Sequence, residues 1–443
     1  MQEKVKISKI LLFFFFLILT VIYTYYIKNI TDDELYNYGY IHNIITGLIP
    51  YKDFSMIVPP LFFYLCTPIF LIFGEKLIIY HIVIAFLTTT IFFITSKQIG
   101  YKALAIEFLI LFYPYAGYNV FSLFLLFLLL SLKKKKFSSY LTPIIIIFMF
   151  LTKQTFALLI IPSLLETKNR KKTIMVYLVG IFLFLLYLIV FNNFNQFLNY
   201  CFLGMLSFTK QNKTPTSILF WIEILIIFYF LWNYYQTKDI ETLYILIFQI
   251  IVFPIADFFH FCIGIAPVTY FLILKERKYP YISFLIFLFF AIMALTLHVT
   301  TLFRTKYEYL EYYPPKNFMY SRLVSRNMIG DVEKIKKVIK ENPDSTLFFL
   351  GTPAYFIKLN LNLPINKFDN INDGNLGYHG EQKYREELQK KCQNNSCLFI
   401  FDDTEATGKK KSQTNRFILN YIKNSYNQVY SSSSFDIYKS ERN

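Results

Sequence analysis

From Ile10 to Ile27 the chain reads "ILLFFFFLILTVIYTYYI", a run with no charged side chain. A helix rises 1.5 Å per residue, so about 20 such residues cross the roughly 30 Å hydrocarbon core of a bilayer. Comparable runs recur up to about residue 300. No small-residue cleavage site follows the first one, which argues against a removable signal peptide. Composition agrees, since 55% of the 443 residues are hydrophobic and 20% aromatic, above the roughly 45–50% apolar share of ordinary soluble chains. The expectation is a polytopic all-α membrane protein. The formal charge of +16 does not point to nucleic acid, because Lys and Arg stand in short clusters between apolar runs, where they set orientation.

With Lys4, Lys6 and Lys9 taken as cytoplasmic, crossings are predicted near 10–27, 77–96, 103–116, 118–132, 138–152, 154–166, 173–191, 216–235, 241–257, 261–274 and 280–299. These crossings, about 11, leave Lys97 and Lys102, Lys133 to Lys136, Lys168 to Lys172 and Lys275 to Lys278 in the cytoplasm, as the positive-inside rule requires. The result depends on "PPLFFYLCTPIFLIFG", Pro59 to Gly74, which is apolar but short and interrupted by Pro68. Counted as a crossing, it would send every one of those clusters outside. It is therefore predicted to be a re-entrant or interfacial helix in a first outer loop spanning 28–76, where protein rather than lipid covers the broken backbone.

On this topology the outer face is chemically rich. It carries Asp32, Asp33, Glu34 and Asp53 of the first loop, Lys153 and Gln154 of the turn "LTKQTF", and Asp257 and His260 of the turn "PIADFFHF". The cytoplasmic side offers only solvated Lys and Arg. Any chemistry is expected outside.

Residues 1–299 form the transmembrane module, and 300–443 read as a separate soluble domain. "IGDVEKIKKVIKEN" has apolar residues at helical spacing, while "STLFFLG", "CLFIFDD" and "FDIYKS" read as short strands, with a helix near 415–422. An odd number of crossings places this α/β domain outside, and roughly 110 residues suffice for an independent core. Cys392 and Cys397, in "CQNNSC", suit a short-loop disulfide in an oxidising exterior, and their spacing suits two free thiols equally well. Cys66, Cys201 and Cys262 sit in apolar context as packing residues. There is no Gly-rich phosphate loop, His-Glu-x-x-His, Cys-x-x-Cys or Ser elbow. Nucleotide-driven pumping and thiolate zinc are therefore not expected.

The stretch "DDELYNYGYIHNIITGLIPYKDF" followed by "PPLFFYLCTPIFLIFG" resembles the membrane glycosyltransferases of the GT-C superfamily. The nearest likeness is to the branch containing protein O-mannosyltransferases and the lipid A aminoarabinose transferase. The shared pattern is an Asp-Glu pair, a Tyr shortly after, a Gly-x-x-Pro-Tyr-x-Asp-Phe turn, Pro-Pro-Leu and a closing Phe-Gly. The resemblance is specific over about 10–100 and architectural to about 300. It implies inverting transfer of a sugar, a hexose or pentose, from a polyprenyl-phosphate carrier to an acceptor glycan, lipid or protein on the outer face. Asp33 would be the catalytic base, with Asp32 the competing assignment and Glu34 beside them. Where relatives carry a basic residue before Pro-Pro-Leu this chain has Val58, and the Arg expected after Phe-Gly is absent, with Lys76 or His81 as substitutes.

Physical chemistry assigns the remaining roles. A carboxylate that takes the proton of an acceptor hydroxyl raises its reactivity by roughly 10²- to 10⁴-fold, and a cation must meet the charge developing on the leaving phosphate. Lys153 is the preferred candidate for that cation, with His260 a second. Asp53, Tyr51, Gln154 and Asp257 complete the expected substrate contacts. Clustered carboxylates can also hold a divalent cation, and no other cofactor is implied. Plainer readings exist for each: Lys153 as a snorkelling lysine, Asp257 and His260 as turn residues at headgroup level, Tyr36, Tyr38, Tyr40 and Tyr51 as an aromatic belt. A secondary transporter or lipid flippase of cell-envelope precursors is the alternative class. Such proteins place ionisable groups near mid-bilayer in repeated halves, whereas here they gather at one face.

Overall fold

A computed structural model describes residues 2–27, 32–111, 117–132, 138–204, 218–252, 258–275, 310–312, 323–350, 358–364, 369, 376–378, 380–393, 395–402, 413–432 and 435–440. Asp257, the side chain of Asp32, the Lys133 to Lys136 cluster and the crossing expected at 280–299 lie outside the described residues.

The apolar runs fold as helices. α1 (Gln2–Val21) continues into a π-helical turn, Ile22–Ile27, and the first loop then carries α2 (Asp32–Ile45) and α3 (Leu61–Phe73). At 13 residues α3 is about 20 Å long, the same length as the helices Ser138–Phe150 and Ile240–Val252. α4 (Leu77–Ile99) ends at Gly100, whose φ of 64° is accessible to Gly at no steric cost. It is followed by α5 (Leu104–Leu111), α6 (Gly117–Leu132), α7 (Ser138–Phe150), a 3₁₀ turn Gln154–Leu159, α8 (Ile160–Glu166), α9 (Arg170–Val190) and α10 (Phe194–Leu198) with a π turn Asn199–Leu203. α11 (Ile218–Thr237), α12 (Ile240–Val252) and α13 (Phe258–Lys275) complete the helical part.

Among the described residues, Leu77–Leu111, Arg170–Val190 and Ile218–Thr237 are long and apolar enough to cross a membrane; the first runs through the positions expected for two crossings, 77–96 and 103–116, and the shorter apolar helices include Leu61–Phe73, where no crossing was expected. The outward faces of two of them are unlike a soluble surface. α9 exposes Leu178, Phe182, Leu183, Ile189 and Val190, and α11 exposes Trp221, Leu225, Phe228 and Trp232. Contiguous apolar surface of this kind needs lipid or protein against it. Inside, α4 packs between α1 and α6. Phe13 meets Phe93 at 5.3 Å and Phe16 meets Phe92 at 4.7 Å between ring centroids, tilted contacts of the kind aromatic pairs prefer.

The C-terminal part is α/β, as read from its alternating pattern. β1 (Leu310–Tyr312) and β2 (Leu323–Ser325) form an antiparallel pair leading into α14 (Arg326–Glu341). A sheet of order β3-β4-β6-β5 follows, from β3 (Thr346–Leu350), β4 (Cys397–Asp402), β5 (Asn427–Ser431) and β6 (Phe435–Lys439). β3 runs parallel to β4 with Phe348 opposite Phe399, and β6 is antiparallel to β4. Side chains alternate along a strand. Phe348, Leu350, Phe399 and Phe401 therefore meet α15 (Gly380–Cys392) and α16 (Gln413–Ser425), while Phe349, Leu398 and Ile400 join a core continuous with that of the helices. Cys392 and Cys397 form a disulfide between the end of α15 and the start of β4.

Candidate functional site

α2 sorts the acidic cluster onto two faces. Glu34, Tyr38 and His42 recur at a spacing of four, which stacks them on one side of a helix, and that side is turned inward. Glu34 and His81 are both wholly buried, with Glu34 Oε1 2.6 Å from His81 Nε2. The other imidazole nitrogen, Nδ1, lies 3.1 Å from Thr24 Oγ1, and the Tyr25 ring meets His81 edge-on at 5.2 Å. One further turn along, His42 Nδ1 lies 2.6 Å from Glu75 Oε2, and Tyr38 donates to the Glu75 carbonyl at 2.8 Å. Burial pushes the Tyr38 hydroxyl well above its ordinary pKa, with Glu75 adding to the effect, so it remains a donor. The π turn after α1, the first turn of α2 and the first turns of α4 are thus fastened together by the buried Thr24–His81–Glu34 contacts.

Asp33 takes the other face. It is half-buried in the first turn of α2, where the helix dipole favours a carboxylate, and its carbonyl accepts a 2.6 Å bond from Asn37 Nδ2. Asp33 and Glu34 both lie within electrostatic reach of the Tyr80 hydroxyl, which accepts a 2.7 Å bond from the Gly117 N–H at the start of α6. From the opposite side, Lys153 Nζ donates to Asn119 Oδ1 at 3.4 Å, in the first turn of α6. Lys153 thus stands at the start of α6 through Asn119, while Asp33 is linked to that helix start only by its electrostatic reach to Tyr80.

The Gly-x-x-Pro-Tyr-x-Asp-Phe stretch, Gly47 to Phe54, is a folded turn. Gly47 has φ 86° and Tyr51 has φ 68°, a left-handed conformation that a non-Gly residue keeps only when its surroundings hold it. They do so here. Asp53 Oδ2 accepts from the Ile49 N–H at 2.8 Å, and Tyr51 donates to the Val58 carbonyl at 2.7 Å. Asn193 Nδ2 donates to the Pro50 carbonyl at 2.9 Å. Gln154 is buried as well, and its Nε2 donates to the carbonyls of Ile57 at 3.0 Å and Cys201 at 2.6 Å. Tyr51, Asp53 and Gln154 thus hold the first loop against the 154 turn and the 193–203 segment. Burial raises the pKa of the Tyr51 hydroxyl and of the Cys201 thiol beside it, which keeps both protonated.

His260 lies half-buried in the first turn of α13. Among the described residues no three His, Cys, Asp or Glu side chains converge as a metal site. Of the carboxylates expected to share a cation, Glu34 is committed to His81 and Asp53 to a backbone N–H, and the side chain of Asp32 lies outside the described residues.

No protein-family model matches the sequence, and no curated protein matches it either. The fold is similar to that of two crystal structures of ArnT from Cupriavidus metallidurans. For ArnT bound to undecaprenyl phosphate the TM-score is 0.51 at 11% identity, covering 98% of each chain. For its apo state the TM-score is 0.50 at 10% identity, again over 98% of each. The Archaeoglobus fulgidus oligosaccharyltransferase in complex with Zn and sulfate is more distant, at TM-score 0.44 and 12% identity over 96% of this chain and 72% of that one. The helical part with its small C-terminal sheet, expected from the sequence, thus has a counterpart of similar fold in ArnT over 98% of the chain.

Proposed function

We propose that the chain is an integral membrane glycosyltransferase that moves a sugar from a polyprenyl-phosphate carrier to an acceptor on the extracytoplasmic face. The reading is carried by the fold, which is similar to that of ArnT, a protein crystallised with undecaprenyl phosphate, over 98% of each chain.

Asp33 is the general base. It takes the proton of an acceptor hydroxyl, whose oxygen attacks the anomeric carbon as the bond from that carbon to the phosphate oxygen breaks. Polyprenyl phosphate leaves on the face opposite to attack, so the configuration inverts. Lys153 meets the charge growing on the departing phosphate, a stabilisation that counts most where water is excluded. Glu34 and His81 set the position of Asp33 without touching substrate, because their buried pair fixes the first turn of α2 against α4. Asp32 is the competing base. Tyr51, Asp53 and Gln154 shape the loop, and His260 with Asp257 is a further contact to donor or acceptor. No step is routed through a metal.

The orientation follows the basic clusters, with the N-terminus in the cytoplasm and 300–443 outside. The test is release and transfer of radiolabelled sugar from a panel of polyprenyl-phosphate hexoses and pentoses by the purified protein in proteoliposomes. Turnover of at least one donor is expected. No turnover across the panel, with solute flux in its place, would replace this reading by the transporter.

A further inference from the structure

Where the first loop and the 194–203 segment meet the C-terminal domain, the structure holds a cavity of about 150 Å³. Its walls come from three parts of the chain: Lys52 from the first loop, Gln196, Asn199 and Tyr200 from the 194–203 segment, and Lys383 with Glu387 from α15. We infer that this cavity is a subsite for a pyranose ring of the acceptor, separate from the place where the sugar is transferred. The inference rests on the glycosyltransferase reading only for the word acceptor.

The walls are fixed in place. The Tyr378 N–H donates to Asn199 Oδ1 at 2.9 Å. Gly377, at φ 82°, lies so close to the Asn199 side chain that a Cβ there would collide with it, so the C-terminal domain approaches this segment only through a glycine. Tyr51 and Tyr384, which also line the cavity, are buried. Behind Tyr384 stands Asp369, within electrostatic reach of its hydroxyl and ion-paired to Lys358.

Size and chemistry select the occupant. An apolar cavity of about 150 Å³ takes up benzene, a six-membered ring. The lining here instead mixes the amides of Gln196 and Asn199, two ammonium groups and one carboxylate with the tyrosines and Leu376. Donors and acceptors are both present, and a carboxylate stands among the two ammonium groups. That mixture suits the many hydroxyls of a sugar better than an apolar ring or a compact anion. Position then separates acceptor from donor. α2 is about 20 Å long, with Asp33 in its first turn, and the turn carrying Lys52 follows its last. The donor's sugar is joined directly to the phosphate and must sit at the reacting carboxylate. A ring in this cavity belongs to a molecule long enough to reach from one position to the other.

The test uses the full chain in nanodiscs and saturation-transfer NMR with methyl α-D-glucopyranoside, methyl α-D-mannopyranoside and N-acetylglucosamine, and cyclohexanol as a ring with a single hydroxyl. At least one pyranoside is expected to bind and cyclohexanol not. Lys52→Ala and Glu387→Gln, which alter opposite walls, should each weaken that binding at least tenfold while sugar release from the lipid donor into water stays within twofold of wild type. Absence of pyranoside binding, or binding unchanged in both variants, would overturn the subsite. A tenfold rise in donor KM in either variant would assign the cavity to the donor and overturn the acceptor. A wild type that binds pyranosides here but turns over no donor keeps the sugar site and removes its assignment to an acceptor.

Discussion

Glu34–His81 in the helical part and Lys358–Asp369 in the sheet part are both buried acid–base pairs, yet they border different things. The first stands one residue from Asp33, a partly exposed carboxylate, and joins the ends of α1, α2 and α4. The second holds the backbone N–H of Phe349 through Asp369 and backs Tyr384 under the interdomain cavity. In neither region does the buried charge face solvent. Buried pairs seldom gain net stability over an apolar replacement, but removing one partner strands the other. Each pair is thus better understood as a device that holds the position of a neighbour: Asp33 in one case, the cavity wall in the other.

Several experiments break or sharpen this contrast. The largest effect is expected at the base itself, where Asp33→Asn should lower turnover by about 10²- to 10⁴-fold with lipid-donor binding unchanged, read by transfer kinetics and donor binding. Next come the pairs. Glu34→Ala, His81→Ala and Lys358→Ala should each cost about 3–5 kcal/mol in denaturant unfolding of the purified protein. The contrast lies in activity measured on the protein that remains folded: Glu34→Ala and His81→Ala should lower it, and Lys358→Ala should leave donor hydrolysis intact. Reducing the Cys392–Cys397 bond, which closes a loop with a sequence separation of 5, should cost about 2 kcal/mol on the loop-entropy estimate and act on the sheet part alone. Gln154→Ala leaves two buried carbonyls without their donor, at about 1–3 kcal/mol. Tyr51→Phe removes the bond to the Val58 carbonyl and the weak one from the Cys201 thiol, and should cost about 1 kcal/mol.

The same contrast explains what the sequence disclosed. Long uncharged runs, the broken apolar helix at 61–73 and the alternating C-terminal strands are local patterns, and they are legible because period and length are local. The Cys392–Cys397 spacing left two outcomes open, and proximity across the α15–β4 connection decided for the bond. The carboxylate cluster was visible, but its division was not. Glu34 finds His81 47 positions away, and nothing within its own helix distinguishes it from Asp33 except the four-residue spacing to Tyr38 and His42. Tyr51 and Asp53 read as substrate contacts because they belong to a recognisable motif. Their hydrogen bonds show a turn that sets the loop, with partners at Val58, Asn193 and Cys201 that no local pattern announces.

The most direct measurement compares wild type, Asp33→Asn and Asp32→Asn for transfer of radiolabelled sugar from a turned-over polyprenyl-phosphate donor, with donor binding measured on the same preparations. Asp33→Asn is expected to bind donor and transfer at least about a hundredfold more slowly, while Asp32→Asn retains most of its turnover. Full turnover by Asp33→Asn would contradict the role of Asp33 as base.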